Sequence, residues 1–254
     1  MRTVIKIGTS TLAYGTGHPN IRHIENFCKV VSDIKNAGEE IILVSSGAIA
    51  MGRGKVSLKD RPTDVSMKQA IAAIGQCELM YTYDKYFGEY NHTVAQLLLT
   101  ADNFNNETQY ENFRATIRRL LELGVLPVIN ENDTTSTREI GIGDNDTLAA
   151  LVARGVNAGR LILLSDIDGL YTADPKKNAD AKLLPEINEI TPEIEALAGG
   201  SGSSVGTGGM VTKIEAAKIA MAAGCDMVIA NGRDPAVLYD IFEGKPVGTR
   251  FHKI

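Results

Sequence analysis

Three continuous apolar runs, each closed by polar residues or glycine, constrain this chain more than any other feature. Ile41-Ile-Leu-Val runs into Ser45-Ser-Gly, Val125-Leu-Pro-Val-Ile into Asn130-Glu-Asn-Asp, and Leu161-Ile-Leu-Leu into Ser165-Asp. Unbroken apolar runs of this length suit parallel strands covered by helices on both faces. Their polar C-terminal ends then lie where open α/β sheets bind ligands. Thr3-Val-Ile-Lys-Ile-Gly, residues 93–100 and Met227-Val-Ile-Ala-Asn-Gly read as further strands. Between them, Ile21, Ile24, Phe27, Cys28, Val31 and Ile34 recur at helical spacing before Gly38, and Tyr110, Phe113, Ile117, Leu120 and Leu121 before Gly124. Residues 68–87 predict another helix, reached through a polar loop over 52–67 that carries Pro62. Strand and helix alternate almost throughout, and no repeat or low-complexity linker divides the chain. The expectation is one α/β domain over residues 1–254 with a mainly parallel sheet.

Bulk properties remove several function classes. A net charge of −5 argues against a surface that coats nucleic acid. No apolar run reaches the length of a membrane helix, and Lys6 interrupts the short apolar stretch near the N-terminus that might have served as a signal peptide core. Cys28, Cys77 and Cys225 are odd in number and far apart, which predicts buried free thiols in a reducing compartment, the cytoplasm. Four scattered histidines offer no zinc site.

Residues 199–213 hold six glycines among serines and threonine, then Met210-Val-Thr-Lys and a helix-like apolar pattern. A glycine-rich loop entering a helix N-terminus can wrap phosphate oxygens with backbone N–H groups, and Lys213 adds a full charge. The order of residues is wrong for a Walker P-loop, which requires Gly-Lys-Ser/Thr, and for a dinucleotide fingerprint. His-Arg-Asp and Asp-Phe-Gly signatures are absent as well. What the chain does carry is a lysine in the first strand (Lys6), Lys213, and strand ends rich in amides, carboxylates and serine. Phosphoryl transfer from a nucleotide needs that mixture, because cations must neutralise the moving phosphoryl group and carboxylates must hold the cations.

Taken in order, Val4-Ile-Lys-Ile-Gly-Thr-Ser, Val44-Ser-Ser-Gly-Ala-Ile, Val128-Ile-Asn-Glu-Asn-Asp, Gly143-Asp-Asn-Asp-Thr-Leu, Leu164-Ser-Asp, Gly169-Leu-Tyr-Thr-Ala-Asp-Pro and Gly206-Thr-Gly-Gly-Met-Val-Thr-Lys cover the chain from end to end. The set resembles the amino-acid kinase superfamily. The Asn-Glu-Asn-Asp and Gly-Thr-Gly-Gly-Met segments favour its glutamate-phosphorylating branch over the acetylglutamate, carbamate, uridylate and aspartate kinases. The resemblance implies a three-layer αβα sandwich and transfer of a phosphoryl group from ATP to the side-chain carboxylate of L-glutamate, at the entry to proline biosynthesis. It implies that Lys6 and Lys213 flank the phosphoryl group and that Asp146 orients both lysines. Ser46, Asp133 and Asn145 would hold glutamate. Ser165, Asp166, Thr207, Gly208, Gly209, Met210, Val211, Thr212 and Lys213 would line the ATP site together with Lys6. Mg2+ would be held mainly through ATP phosphates and water. Feedback inhibition by proline and a homo-oligomer, dimer or tetramer, are further implications. Many members continue into a PUA domain, which is not expected within residues 1–254. The alternatives are another carboxylate or carbamate kinase of the superfamily, and a non-catalytic sensor. A sensor has no need of two transition-state cations.

Overall fold

The computed structural model describes residues 1–135, 145–199 and 209–254. In its first half, strands β1 (Arg2–Ile7), β2 (Glu40–Ser45), β3 (Val94–Leu99) and β4 (Leu126–Glu131) alternate with helices α1 (Thr9–Leu12), α2 (Ile21–Asn36), α3 (Ala48–Lys55), α4 (Val65–Gly88), α5 (Asp102–Asn105) and α6 (Glu107–Glu122). There follow α7 (Asn145–Gly155), β5 (Arg160–Ser165), β6 (Glu186–Ile187), α8 (Pro192–Ala198), α9 (Met210–Ala222), β7 (Asp226–Asn231), α10 (Val237–Phe242) and β8 (Thr249–Phe251). The strands form one sheet in the order β3-β4-β2-β1-β5-β7-β8-β6. Every pairing is parallel except β7 with β8. From β1 the chain builds first towards β2, β4 and β3, then towards β5 and β7. The reversal leaves a crevice at the C-terminal ends of β1 and β5, the usual place for a ligand in such sheets.

Alternation along the strands sorts their side chains between two cores. Val4, Ile42, Val44, Ile129, Leu161 and Leu163 pack with Leu148 and Val152 of α7 and with Ile214 and Ala217 of α9. Ile5, Ile7, Ile41, Leu43, Val128 and Ile162 face the other way, against Phe27 and Val31 of α2 and Leu79 and Tyr83 of α4. Two helical layers on one sheet make the expected αβα sandwich. The near-continuous apolar strands are explained by this double coverage.

Local reading fails in places. The segment expected as a loop over 52–67 is helical at both ends, since α3 runs to Lys55 and α4 starts at Val65. Glycine is a poor helix former, yet Gly52 belongs to α3 because its backbone lies directly on that of α4, and Gly54 because its backbone lies on that of Gly17. A Cβ on Gly52 would overlap the Ile71 carbonyl oxygen, and one on Gly75 the Ala48 carbonyl oxygen. The short β6 and β8 and helix α8 also escaped the sequence pattern. Cys77 corrects another expectation: it is exposed on α4, whereas Cys28 and Cys225 are buried, and all three are free. The exposed side of α4 faces solvent rather than core, which a window of mixed apolar residues does not reveal.

Candidate active site

Strand parity decides which layer Lys6 meets. It follows Val4 by two positions, so its side chain rises on the α7/α9 face of the sheet. There α7 and α9 approach each other through alanines, Ala149, Ala150 and Ala153 against Ala216, Ala217 and Ala220, all fully buried. This close packing brings the first turns of both helices over the end of β1. Asp146 in the first turn of α7 accepts from both sides: Lys6 Nζ lies 2.7 Å from Oδ1 and Lys213 Nζ 2.9 Å from Oδ2. All three side chains are buried. Thr212 Oγ1 also donates to Asp146 Oδ2, at 3.3 Å, and to the Gly209 carbonyl at 2.8 Å. Burial alone would push the Asp146 carboxyl up. The charges of Lys6 and Lys213, with their hydrogen bonds, outweigh it and hold the group below the usual carboxylate range.

The cluster therefore brings two lysines to one carboxylate among the described residues. It sits at the N-terminus of α9, where backbone N–H groups and the helix dipole add to it. Gly209 caps that helix with extended backbone and no side-chain bond. Met210, Val211 and Thr212 form its first turn, with Val211 exposed. On the neighbouring strand β5, Ser165 is buried and donates to the exposed Asp166 at 3.3 Å. Thr207 and Gly208 lie outside the described residues.

A second cluster is built from neutral groups on the opposite face. Ser45 and, one strand over, Asn130 point towards α4, by the same alternation that sends Lys6 the other way. Ser45 Oγ is 2.8 Å from the buried Tyr83 hydroxyl. Asn130 Nδ2 donates to Gln76 Oε1 of α4 at 2.9 Å, and Asn130 Oδ1 accepts from the Glu131 backbone N–H at 2.9 Å. At the sheet edge Asn145 joins the set. Its Nδ2 lies 2.8 Å from Ser46 Oγ, 3.1 Å from Asn130 Oδ1 and 3.2 Å from the Ser45 carbonyl. Three acceptors surround that nitrogen, so the amide oxygen must point away from them. Asn145 Oδ1 is buried and accepts no bond among the described residues. Gly47, at φ 105°, turns the chain sharply from Ser46 into α3, a left-handed conformation that glycine tolerates.

Asp133 stands in the turn just beyond β4, half-buried. Burial, and then the nearby charge of Glu131, push its carboxyl up to about 6. A carboxylate held this way gains from any cation placed beside it. The structure thus joins Ser46 to Asn145, and Lys6 to Asp146 and Lys213. It leaves Asp133 next to these groups in sequence and sheet position without a direct bond to them. The residues missed from sequence are Gln76 and Tyr83. Ser45 and Asn130 were legible as strand-end polar residues; Gln76, in mid-helix, carries no local signal. Among the described residues no three His, Cys, Asp or Glu side chains gather as metal ligands, and no helix is long and apolar enough to cross a membrane.

Comparison with known proteins adds a family. The profile of the amino acid kinase family matches residues 1–231. A glutamate 5-kinase of Clostridium perfringens is 54% identical over 98% of this chain and 94% of its own length. One from Listeria innocua is 52% identical, over 98% and 92%. One from Carboxydothermus hydrogenoformans is 54% identical over 99% of this chain and 68% of its own length. Among solved structures, the T. acidophilum isopentenyl phosphate kinase superposes with a TM-score of 0.68 at 20% identity, covering 99% of this chain and all of that one. The Giardia lamblia carbamate kinase superposes with a TM-score of 0.67 at 21% identity, covering 100% and 98%. These two likenesses bear on the fold alone. The chain belongs to the amino acid kinase family, on its glutamate 5-kinase branch.

Proposed function

We propose that the protein transfers the γ-phosphoryl group of ATP to the side-chain carboxylate of L-glutamate, giving L-glutamyl 5-phosphate and ADP, the first step of proline biosynthesis. The observation that carries this reading is the buried Lys6–Asp146–Lys213 cluster, which holds two lysines on one carboxylate at the end of β1.

In the proposed reaction a γ-carboxylate oxygen of glutamate attacks the γ-phosphorus as the bond to the β–γ bridging oxygen breaks, and that oxygen leaves on ADP. The nucleophile is already an anion, so no general base is needed. The barrier lies in bringing two anions together and in the charge spread over the transferring oxygens. Lys6 and Lys213 meet it with cations whose positions Asp146 fixes before substrate arrives, so little reorganisation remains for the reaction step. The first turn of α9, Gly209 to Thr212, with Thr207 and Gly208 before it, is assigned to the ATP phosphates, and Ser165 and Asp166 to the nucleotide side of the crevice. Both Asp146 oxygens are occupied by lysines. Magnesium is therefore assigned to ATP phosphates and water, its ordinary oxygen ligands, where it would neutralise phosphate charge. On the acceptor side, Ser46 and Asn145 offer polar atoms to glutamate, and Asp133 pairs with its α-ammonium.

The test is a panel of acceptors with ATP and magnesium, read as ADP release. Glutamate is expected to support turnover well above N-acetylglutamate, aspartate, carbamate and UMP. Preference for any other acceptor overturns the assignment.

Residues 1–254 are read as one kinase domain, because β8, at residues 249–251, joins the same sheet as β1. The three free cysteines support a reducing, cytoplasmic setting. Self-association into a dimer or tetramer is supported by the apolar side chains Met67, Ile74 and Tyr81 that α4 exposes, and sedimentation at two concentrations tests it. Proline inhibition rests on the family resemblance, and a proline titration of the same assay tests it.

A further inference from the structure

Gln76 is a costly residue where it stands. On the inner side of α4, Gln76 lies among Ile71, Ala72, Gly75, Leu79 and Tyr83 and is 9% exposed. An amide in such a stripe must be hydrogen-bonded to be tolerated, and a leucine or methionine would pack there without that requirement. Its partner, Asn130, is itself 2% exposed, so the fold has put two amides into its interior where apolar residues would serve. The bond between them does something beyond packing. With Nδ2 committed to Gln76, Asn130 can turn only its oxygen towards Asn145. Asn145 Nδ2 is then held between that oxygen, Ser46 Oγ and the Ser45 carbonyl, which leaves Asn145 Oδ1 buried and without a bond among the described residues.

We propose that Gln76 is a positioning residue for the amino-acid acceptor: through Asn130 it fixes the Asn145 amide so that its free oxygen is presented to a hydrogen-bond donor of the substrate. This rests on the assignment of Asn145 to the glutamate side of the site. The adjoining Gly75 gives α4 its fixed height, because its backbone lies against α3 with no room for a side chain. The Gln76 amide is thus carried on a rigid support and does not follow the substrate.

The experiment varies glutamate and ATP separately in the ADP-release assay for the wild type, Gln76→Met and Gln76→Ala, and for Gln76→Met combined with Asn145→Ala. The expected result is a five- to tenfold rise in KM for glutamate, about the scale of one lost buried hydrogen bond, with kcat and KM for ATP within about twofold. On the Asn145→Ala background Gln76→Met should add nothing further, since both act through one oxygen. An unchanged glutamate KM, an equal rise in ATP KM, or full additivity with Asn145→Ala overturns the proposal. So does failure of both single variants to fold, judged by thermal melting, because Gln76 would then serve the fold. Absence of glutamate-dependent turnover in the wild type is a separate outcome. It removes the functional assignment, and this inference with it.

Discussion

Two buried polar clusters sit at the same edge of the sheet and are built on opposite principles. On the α7/α9 face, Lys6, Asp146 and Lys213 are charges held by charges. On the α4 face, Gln76, Asn130, Asn145 and Ser46 are neutral dipoles held by dipoles. The first cluster is suited to chemistry whose charge moves, because fixed cations stabilise a transition state in proportion to the charge that develops there. The second is suited to recognition, because an unpaired amide oxygen discriminates by what it can accept. Removing one member of a buried ion cluster strands an uncompensated charge, at about 3–5 kcal/mol. Removing one amide strands a dipole, at about 1–3 kcal/mol. The two faces should therefore fail differently, and four predictions test that contrast.

The largest effect belongs to Asp146→Asn. Two buried lysines lose their shared counter-charge, so the variant should lose stability on the scale just given for a stranded charge, together with nearly all turnover. Thermal melting beside the ADP assay checks both, and a stable, active variant would show that the lysines do not need their anion. Lys213→Ala comes next, with kcat reduced by about 10²-fold or more while KM for glutamate moves little. An unchanged kcat would take Lys213 out of the reaction.

Asp133→Ala should act on recognition instead, raising KM for glutamate about tenfold, the worth of one charge-assisted contact, and leaving KM for ATP near wild type. The reverse pattern would mean that the acceptor and nucleotide sides have been exchanged. The smallest effect is in pH, and its sign separates the two carboxyls. The Asp146 carboxyl is held low, so its contribution to stability is present above the ordinary carboxylate range and is lost as pH falls through its depressed value. Asp133 is raised to about 6. Its contribution runs the other way, present below the unfolded value and lost as pH rises through about 6. Protonation should also weaken its hold on an ammonium, so KM for glutamate should climb as pH falls below about 6 and flatten in Asp133→Asn.

The charged cluster was legible in the sequence and the helix residue that supports the neutral one was not, for a physical reason. Lys6 interrupts an apolar strand, Asp146 opens a helix and Lys213 follows a glycine loop, so each stands out against its own neighbours. Gln76 does not, because a glutamine in a long helix is ordinary until the sheet is known to lie beneath it. The same holds for α3: Gly52 reads locally as loop, and only contact with the backbone of α4 makes glycine the residue that fits. Ser46 and Asn145 were identified individually, while the bond that joins them spans 99 positions and is a property of the sheet order. Strand ends were well placed because continuous apolar runs mark buried parallel strands with little ambiguity. The two- and three-residue strands β6 and β8 are too short to have a period at all.

The position of β1 gives the site a timetable. The first strand described, β1, is a central one, and it pairs with β2 on one side and with β5, more than 150 positions later, on the other. Such long-range closure is slow compared with local helix formation. A slip of one position would swap Lys6 for an isoleucine on the α7/α9 face. The Lys6–Asp146–Lys213 cluster therefore does not exist until α7, β5 and α9 have been made and docked in register. Recovery of phosphoryl transfer during refolding should lag behind recovery of helix signal, and it reports when the middle of the sheet has closed.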